Sequence, residues 1–341
     1  MDPIKALARR IGILFAALFG IMMIMIVSLI NYRPEVISYE ILPAQEIQKS
    51  WNPRDINNPG VDSNPLAQMG YKLVSQSSNL MGPKASNSKD RYTGNNLSCT
   101  NCHLKGGTQA GSASWVGVSS RFPQFGGRSN RIGTIEDRIN GCMERSMNGK
   151  KLPVDSNFMK AIVAYMDWLG ADLPDSQKQK YAGYPPLNLP ERAVDLDAGR
   201  EVYQRTCAVC HREDGSGMPG PEGGYLYPPL WGPDSYNDGA GMHRVITAAE
   251  FIRSNMPFGL ASADNPQLSD AEAYDVAGYI NSFKRPHKNN TEKDYPDLTL
   301  KPVSTPYGPW SDNFTATEHK YGPFQPIMAY YKEKYNIVKN K

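Results

Sequence analysis

The feature that most constrains this 341-residue chain is a pentapeptide pattern, Cys-x-x-Cys-His, which occurs at residues 99–103 and again at residues 207–211. This spacing is typical of the covalent attachment of c-type haem, in which two thiols bond to the haem and the adjacent histidine ligates the iron. One copy alone is also compatible with half of a zinc site, whereas two copies predict two covalently bound haem c groups. The six predicted attachment and iron-ligand residues are Cys99, Cys102, His103, Cys207, Cys210 and His211.

The N-terminal segment is apolar enough to cross a bilayer. Residues 11–30 carry no charge, and twenty helical residues span about 30 Å, the thickness of the hydrocarbon core. Lys5, Arg9 and Arg10 precede this stretch, so the positive-inside rule places the N-terminus in the cytoplasm. A cleaved signal peptide is the alternative, but residues 28–32 lack the small-residue cleavage pattern. We therefore expect a single-pass anchor in the bacterial cytoplasmic membrane, with the haem domains in the periplasm.

The sequence pattern indicates that the rest of the chain consists of two similar halves. A helical pattern precedes each haem motif, and a 114-residue shift of the first half aligns residues 164–169 with residues 278–283. This order of elements resembles the small all-α cytochrome c fold. We predict an all-α protein with two tandem cytochrome c domains behind a transmembrane helix and an extended, Pro- and Tyr-rich C-terminal segment that wraps them. The predicted limits are 1–33 for the cytoplasmic stub and anchor, 34–63 for a linker, 64–172 and 191–285 for the two domains, 173–190 for the linker between them, and 286–341 for the C-terminal segment.

Helix boundaries follow from capping residues and apolar periodicity. Thr134 and Ser269 are predicted N-caps, because Asp137 and Glu272 stand three residues later and complete capping pairs. Asn148 and Gly149 supply the stop of the helix that Thr134 begins. Further helices are predicted at about residues 66–74, 156–169, 194–206, 247–255 and 328–338.

Cys142 is the cysteine left over after haem attachment. A lone cysteine is most often a small buried hydrophobic residue. However, the 114-residue shift superposes Cys142 on Met256, whose flanking Asn255 and Pro257 resemble the distal-methionine loop of ordinary cytochromes c. Helical spacing also puts Arg138 and Arg145 on the face of Cys142, where guanidinium groups favour thiolate. We predict Cys142 as the second axial ligand of the first haem and Met256 as that of the second.

Other candidate ligands remain open for the second haem. Met242 and His243 are the alternatives to Met256, whereas Met218 lies too close to the haem motif. His287 and His319 lie in the C-terminal segment and are expected at the surface.

Longer strings give the chain a family resemblance over about residues 64–326. It resembles the thiosulfate dehydrogenases, dihaem cytochromes c that form tetrathionate. The resemblance implies His/Cys ligation of the first haem and His/Met ligation of the second. It also implies an anion site whose matching residues here are Arg128, Arg138 and Ser146. The strings that carry it are residues 115–118, 121–124, 139–142, 144–149, 228–233, 255–257, 301–303 and 305–309.

The implied reaction joins two thiosulfate ions into tetrathionate and releases two electrons. The second haem then passes them to a periplasmic or membrane acceptor, such as another c-type cytochrome or a terminal oxidase. Arginines suit a dianion because guanidinium donates in a bidentate manner. The alternatives are an electron carrier without its own substrate and tetrathionate reduction at the same site. The net charge of +3 is spread along the chain with no basic run beyond the N-terminus, which argues against nucleic acid as a partner.

Two positions depart from the family pattern. Asn255 stands where some members have a lysine that serves as a switching ligand. Gly107 stands where a polar side chain is expected near the substrate. Both positions therefore bear on the direction of the reaction and on the choice of substrate.

Overall fold

The computed structural model describes residues 3–32, 51–58, 64–221 and 223–341, and the chain forms two units, Met1–Ser50 and Trp51–Lys341. Helix α1 (Pro3–Asn31) lies in the first unit. Its stretch Leu7–Asn31 has a mean hydropathy of 2.9 and is long and apolar enough to cross a membrane. Most of the predicted linker over residues 34–63 lies outside the described residues.

The second unit is mainly helical, as the sequence predicts. The helices of its first half are α2 (Pro65–Ser75), α3 (Ser77–Leu80), α4 (Leu104–Gly107), α5 (Ile135–Arg145) and α6 (Asn157–Gly170). Strands β1 (Gln124–Gly126) and β2 (Arg131–Gly133) pair as an antiparallel hairpin directly before α5. Thr134 and Asp137 form the predicted capping box at the start of α5, and this fixes where the helix begins.

The second half repeats this plan. Its helices are α7 (Leu196–Val202), α8 (Ala208–His211), α9 (Val245–Asn255) and α10 (Asp270–Ser282), and its strands are β3 (Met218–Pro219) and β4 (Tyr225–Tyr227). A π-helical turn over Tyr203–Cys207 joins α7 to α8, so the helix predicted over residues 194–206 is interrupted before the haem motif. Ser269 and Glu272 form the predicted capping box of α10.

In each half, the first helix crosses the last helix of that half at a glycine. A Cβ at Gly70 in α2 would lie 2.0 Å from the carbonyl oxygen of Ala161 in α6. A Cβ at Gly199 in α7 would lie 2.2 Å from the carbonyl oxygen of Asp275 in α10. Both distances are far inside van der Waals contact, so any side chain would force the helices apart. The two crossings therefore place the two haem motifs on equivalent scaffolds.

The second unit has two hydrophobic cores, and each core includes a residue from the other half. The first core is built on α2, α5 and α6, and the second on α7, α9 and α10. Leu104 comes from the first half but packs in the second core, whereas Tyr225 comes from the second half and packs against the first. Each half thus completes the core of the other.

The C-terminal segment contacts both halves. It contains α11 (Ala316–Tyr321) and α12 (Gln325–Tyr335), where the sequence predicts one helix near residues 328–338. Phe324 and Tyr331 are buried in the second core. The backbone N–H of Tyr295 donates to the carbonyl of Arg128 in the first half at 2.9 Å.

His319 lies in the interior of this segment, so the expectation of a surface position is wrong. It is 1% exposed, with Nδ1 2.7 Å from the carbonyl oxygen of Val303 and Nε2 2.9 Å from Oδ1 of Asp312. Its ring also stacks on Trp310 at 4.4 Å. Burial is tolerated because both ring nitrogens have hydrogen-bond partners. His287 is exposed, as expected.

Candidate active site

The first haem motif lines a cavity of about 350 Å³. Cys99, Cys102 and His103 reach it from the motif, and Cys142 reaches it from α5. Two thiols, a histidine and a further thiol on apolar walls fit a covalently bound haem with two protein ligands on its iron. The apolar lining includes Val74, Leu97, Trp115, Val118, Ile135, Ile139, Met143, Met147, Ile162 and Met166.

The two motif histidines are oriented in the same way. Nδ1 of His103 lies 2.8 Å from the carbonyl oxygen of Ala113, and Nδ1 of His211 lies 2.8 Å from that of Pro228. A hydrogen bond at Nδ1 fixes the ring and leaves Nε2 for a metal. Trp115 supports the first ring at a centroid distance of 4.7 Å.

The second motif sits against the second core. His211 is buried, and burial lowers its pKa. Cys207 and Met256 are half-buried against this core, and Met256 directly follows α9. Met242 also packs on this core but lines the first cavity as well. The two methionines that compete as ligands of the second haem therefore lie in different surroundings.

Cys142 differs electrostatically from the attachment cysteines. Burial alone would raise its pKa, but Arg138, a hydrogen bond with His103, and Arg145 together lower the pKa of Cys142 to about 7. By contrast, burial raises the pKa of Cys99 to about 11 and that of Cys102 to about 12. The surroundings of Cys142 thus favour its thiolate, the form that ligates metals.

The structure brings Arg138 and Ser146 to the wall of the cavity. It does not bring Arg128 there. Nη1 of Arg128 donates to the carbonyl oxygen of Gly239 at 3.1 Å and to Asp294 at 2.8 Å. Within the described residues, Nη2 and Nε of Arg128 make no hydrogen bond, so that edge of its guanidinium can still donate.

Asp294 of the C-terminal segment joins Arg128 to α5. Its Oδ1 accepts from Nη2 of Arg145 at 2.7 Å, and its Oδ2 accepts from Nη1 of Arg128 and the hydroxyl of Tyr307, both at 2.8 Å. The side chain of Asp294 is 9% exposed. Arg145 therefore binds this carboxylate and does not line the cavity, although it shares a helix with Cys142.

Several cavity residues were not singled out by the sequence. Arg121, Gln124 and Tyr236 line the cavity. Arg121 and Gln124 belong to the string at residues 121–124 that carries the family resemblance, which is the signal that points to them. Tyr236 comes from the second half of the chain, and no local pattern marks it.

Gly107 cannot carry the polar side chain expected at its position. Its φ is +85°, and a Cβ there would lie 2.2 Å from Cε3 of Trp115. Gly215, at the corresponding place after the second motif, is covered by Trp231 in the same way, with a Cβ distance of 2.1 Å. The glycines therefore let each indole pack close to its motif.

Two family models match the halves of the second unit. The cytochrome c domain of SoxA/TsdA matches residues 88–174, and the general cytochrome c model matches residues 196–284. Fold and site thus define a c-type cytochrome with two tandem haem domains and two covalently bound haem c groups, as predicted. The predicted domain limits stay predictions.

The relatives narrow this class to one family. The chain is 46% identical to thiosulfate dehydrogenase of Allochromatium vinosum over 57% of this chain and 72% of that protein. It is 43% identical to thiosulfate dehydrogenase of Psychrobacter arcticus over 60% of this chain and 61% of that protein. The chain belongs to the thiosulfate dehydrogenase family of oxidoreductases. The match spans about three fifths of the length of the Psychrobacter protein.

A solved structure agrees with this assignment. Thiosulfate dehydrogenase (TsdBA) from Marichromatium purpuratum, in the as-isolated form, superposes with a TM-score of 0.62 at 32% identity. The superposition covers 70% of this chain and 50% of that one. The likeness therefore extends over most of the unit that carries the two motifs.

Proposed function

We propose that this protein oxidises two thiosulfate ions to tetrathionate. The observation that carries the proposal is the cavity that places Cys142 beside His103, with Arg138 and Ser146 in its wall. A carrier that only exchanges electrons has no need of an arginine beside a low-pKa thiol inside its haem cavity. Membership of the thiosulfate dehydrogenase family supports the same choice of substrate.

We assign the haem-holding residues as follows. Cys99 and Cys102 attach the first haem, with His103 and Cys142 on its iron. The second haem is attached by the corresponding cysteines and is held by His211 and Met256. When bound, each haem accepts one electron, so the pair accepts the two electrons that the reaction releases.

The protein residues bring two repelling anions together. Arg138 donates to a thiosulfate oxygen, and Arg128, which Asp294 holds outside the cavity wall, adds positive charge at longer range. Ser146 supplies a hydroxyl donor at the end of α5. Such fixed donors lower the electrostatic barrier to approach of the second dianion, because they need no reorganisation during the reaction.

The reaction balances in sulfur and in electrons. Each thiosulfate loses one electron, the two terminal sulfur atoms form one S–S bond, and the product tetrathionate carries two fewer negative charges than the two substrates. No proton is taken up or released. The site therefore needs cationic donors and an electron route, and Cys142 lies where the new bond forms.

We also propose where the protein lies and what accepts its electrons. The apolar helix α1 anchors the chain in the cytoplasmic membrane with its N-terminus inside, and the haem domains lie in the periplasm. The second haem, held by His211 and Met256, would supply the electron route to another c-type cytochrome or a terminal oxidase. The apolar length of α1 and the basic residues before the apolar stretch support this arrangement.

The test is reduction of the purified, haem-loaded protein by thiosulfate. Arg138→Gln should lower the affinity for thiosulfate about 2- to 5-fold, because Arg138 is exposed and solvent screens part of its contact with the anion. Reduction by dithionite and the haem spectra should not change. Arg200→Gln is the matched control, because Arg200 is exposed and pairs only with Asp197 on the surface. If wild-type haems stay oxidised in millimolar thiosulfate yet exchange electrons with a partner cytochrome, the protein is a carrier.

A further inference from the structure

Three arginines in or near the first cavity have no acidic partner: Arg121 and Arg138 line it, and Arg244 lies within electrostatic range of Arg138. Within the residues that the structure describes, the side chains of Arg121, Arg138 and Arg244 form no salt bridge and no hydrogen bond. Arg145 and Arg128 differ from them because Asp294 binds both. Guanidinium groups remain charged in proteins, so these three carry positive charge that no carboxylate of the described chain offsets.

Arg244 is the most informative of the three. It precedes α9, two residues after the cavity residue Met242, and its Nε is buried without a hydrogen-bond partner. Arg244 as a whole is half-buried, but a donor that is buried without a partner is unfavourable, so its surroundings favour an anion. Burial lowers the pKa of Arg244, and the nearby guanidinium groups of Arg128 and Arg138 lower it further.

Arg121 approaches the same cluster from the first half of the chain. It lines the cavity beside Arg138. Burial and the charge of Arg138 both lower the pKa of Arg121. Arg138 therefore has a like-charged neighbour from each half of the chain. This arrangement repels itself until an anion occupies it.

We propose that Arg121 and Arg244 extend the anion site around Arg138, so that the cavity holds both sulfonate groups of tetrathionate, or two thiosulfate ions, at once. The inference rests on the proposed function, since it assigns further binding residues to that reaction. Arg138 binds one end beside Cys142, and Arg121 and Arg244 bind the other. The second half of the chain thus contributes directly to substrate binding.

Tetrathionate binding to the oxidised, full-length, haem-loaded protein tests this without turnover, because ferric haems have no electrons to give to it. In isothermal titration, Arg244→Gln should weaken the affinity about 30-fold or more, since Nε of Arg244 is buried and has no other partner. Arg121→Gln should weaken it about 2- to 5-fold, since Arg121 is exposed and solvent screens its contact. Arg244→Lys should restore part of the affinity, and Arg200→Gln should leave it unchanged.

The outcomes separate this inference from the proposed function. If thiosulfate reduces the wild type but both glutamine variants bind tetrathionate as the wild type does, the extended site is wrong and the function stands. If Arg244→Gln instead shifts the midpoint potential or lowers haem loading without changing tetrathionate affinity, Arg244 pairs with a haem propionate and the inference is wrong. If Arg244→Gln does not fold, Arg121→Gln and Arg244→Lys still decide, because the first leaves Arg244 unchanged and the second keeps a positive charge on a long aliphatic side chain. A wild type that neither reacts with thiosulfate nor binds tetrathionate refutes both ideas.

Discussion

The carboxylate of Asp294 is the connection that holds α5 to the C-terminal segment, so its neutralisation should weaken the protein measurably. In Asp294→Asn, the guanidinium groups of Arg128 and Arg145 keep their charge but lose the charge that offsets them. Removing one partner from a buried ion pair lowers the free energy of unfolding by about 3–5 kcal/mol. The loss here should be about 3 kcal/mol, because the amide oxygen of the new asparagine can still accept a hydrogen bond. Both pairs are short, at 2.8 and 2.7 Å, and Asp294 is nearly buried, so solvent screens little of the loss.

Thermal unfolding of the haem-loaded protein measures this loss. One kcal/mol shifts the midpoint by about 2–4 °C in units of this approximate size, so Asp294→Asn should unfold about 6–12 °C below the wild type. Thiosulfate-driven reduction should also slow, because α5 carries Cys142 and loses its fixed contact through Arg145.

Asp297→Asn is the matched control for this experiment. Asp297 lies three residues further along the same segment but is exposed, and its carboxylate accepts only from Thr299 nearby. Its substitution should leave the unfolding midpoint and the reduction rate close to those of the wild type. A midpoint for Asp294→Asn within about 2 °C of the wild type would show that the network contributes little, and the reasoning would fail.

Three further predictions concern single residues. Cys142→Ala should abolish the thiolate-type low-spin signal in ferric EPR, and a surviving signal would exclude Cys142 as a ligand. Met256→Ala should remove the reduced-state methionine NMR signals of the second haem; if they persist, Met242 is the ligand. Burial and then Arg285 lower the pKa of His243 to about 4 from 6.5, so folding favours its neutral form. The free energy of unfolding should therefore be highest above about pH 6.5 and fall by about 3 kcal/mol as the pH is lowered to about 4. Urea unfolding of His243→Gln, measured over the same pH range, should not show this decrease.

The local features of the fold could be predicted from the sequence because neighbouring residues determine them. The capping pairs at Thr134 and Ser269 are present as predicted, since an N-cap side chain bonds to backbone within its own helix turn. The predicted helix over residues 247–255 corresponds to α9, which begins two residues earlier at Val245. Capping and apolar periodicity act over one or two turns, and that range is visible in sequence.

The candidate site was predictable only to the extent that it lies on one helix. Helical spacing alone placed Cys142 and Arg138 on a common face, and both reach the cavity. The same spacing placed Arg145 with them, yet Arg145 turns to Asp294, which lies 149 residues away in sequence. A long flexible side chain takes the partner that the tertiary fold provides, and periodicity contains no information about that partner.

Only the tertiary structure brought the second half of the chain to the first haem cavity. Tyr236 and Met242 line the cavity across the junction of the halves, and Arg244 follows them with a buried, unpartnered Nε. The sequence determined the two haem motifs, the spare cysteine and the helices that carry them, because each is a local pattern. The charge around Cys142 was decided by folding, because electrostatic and packing interactions depend on distances in space and not on separation along the chain.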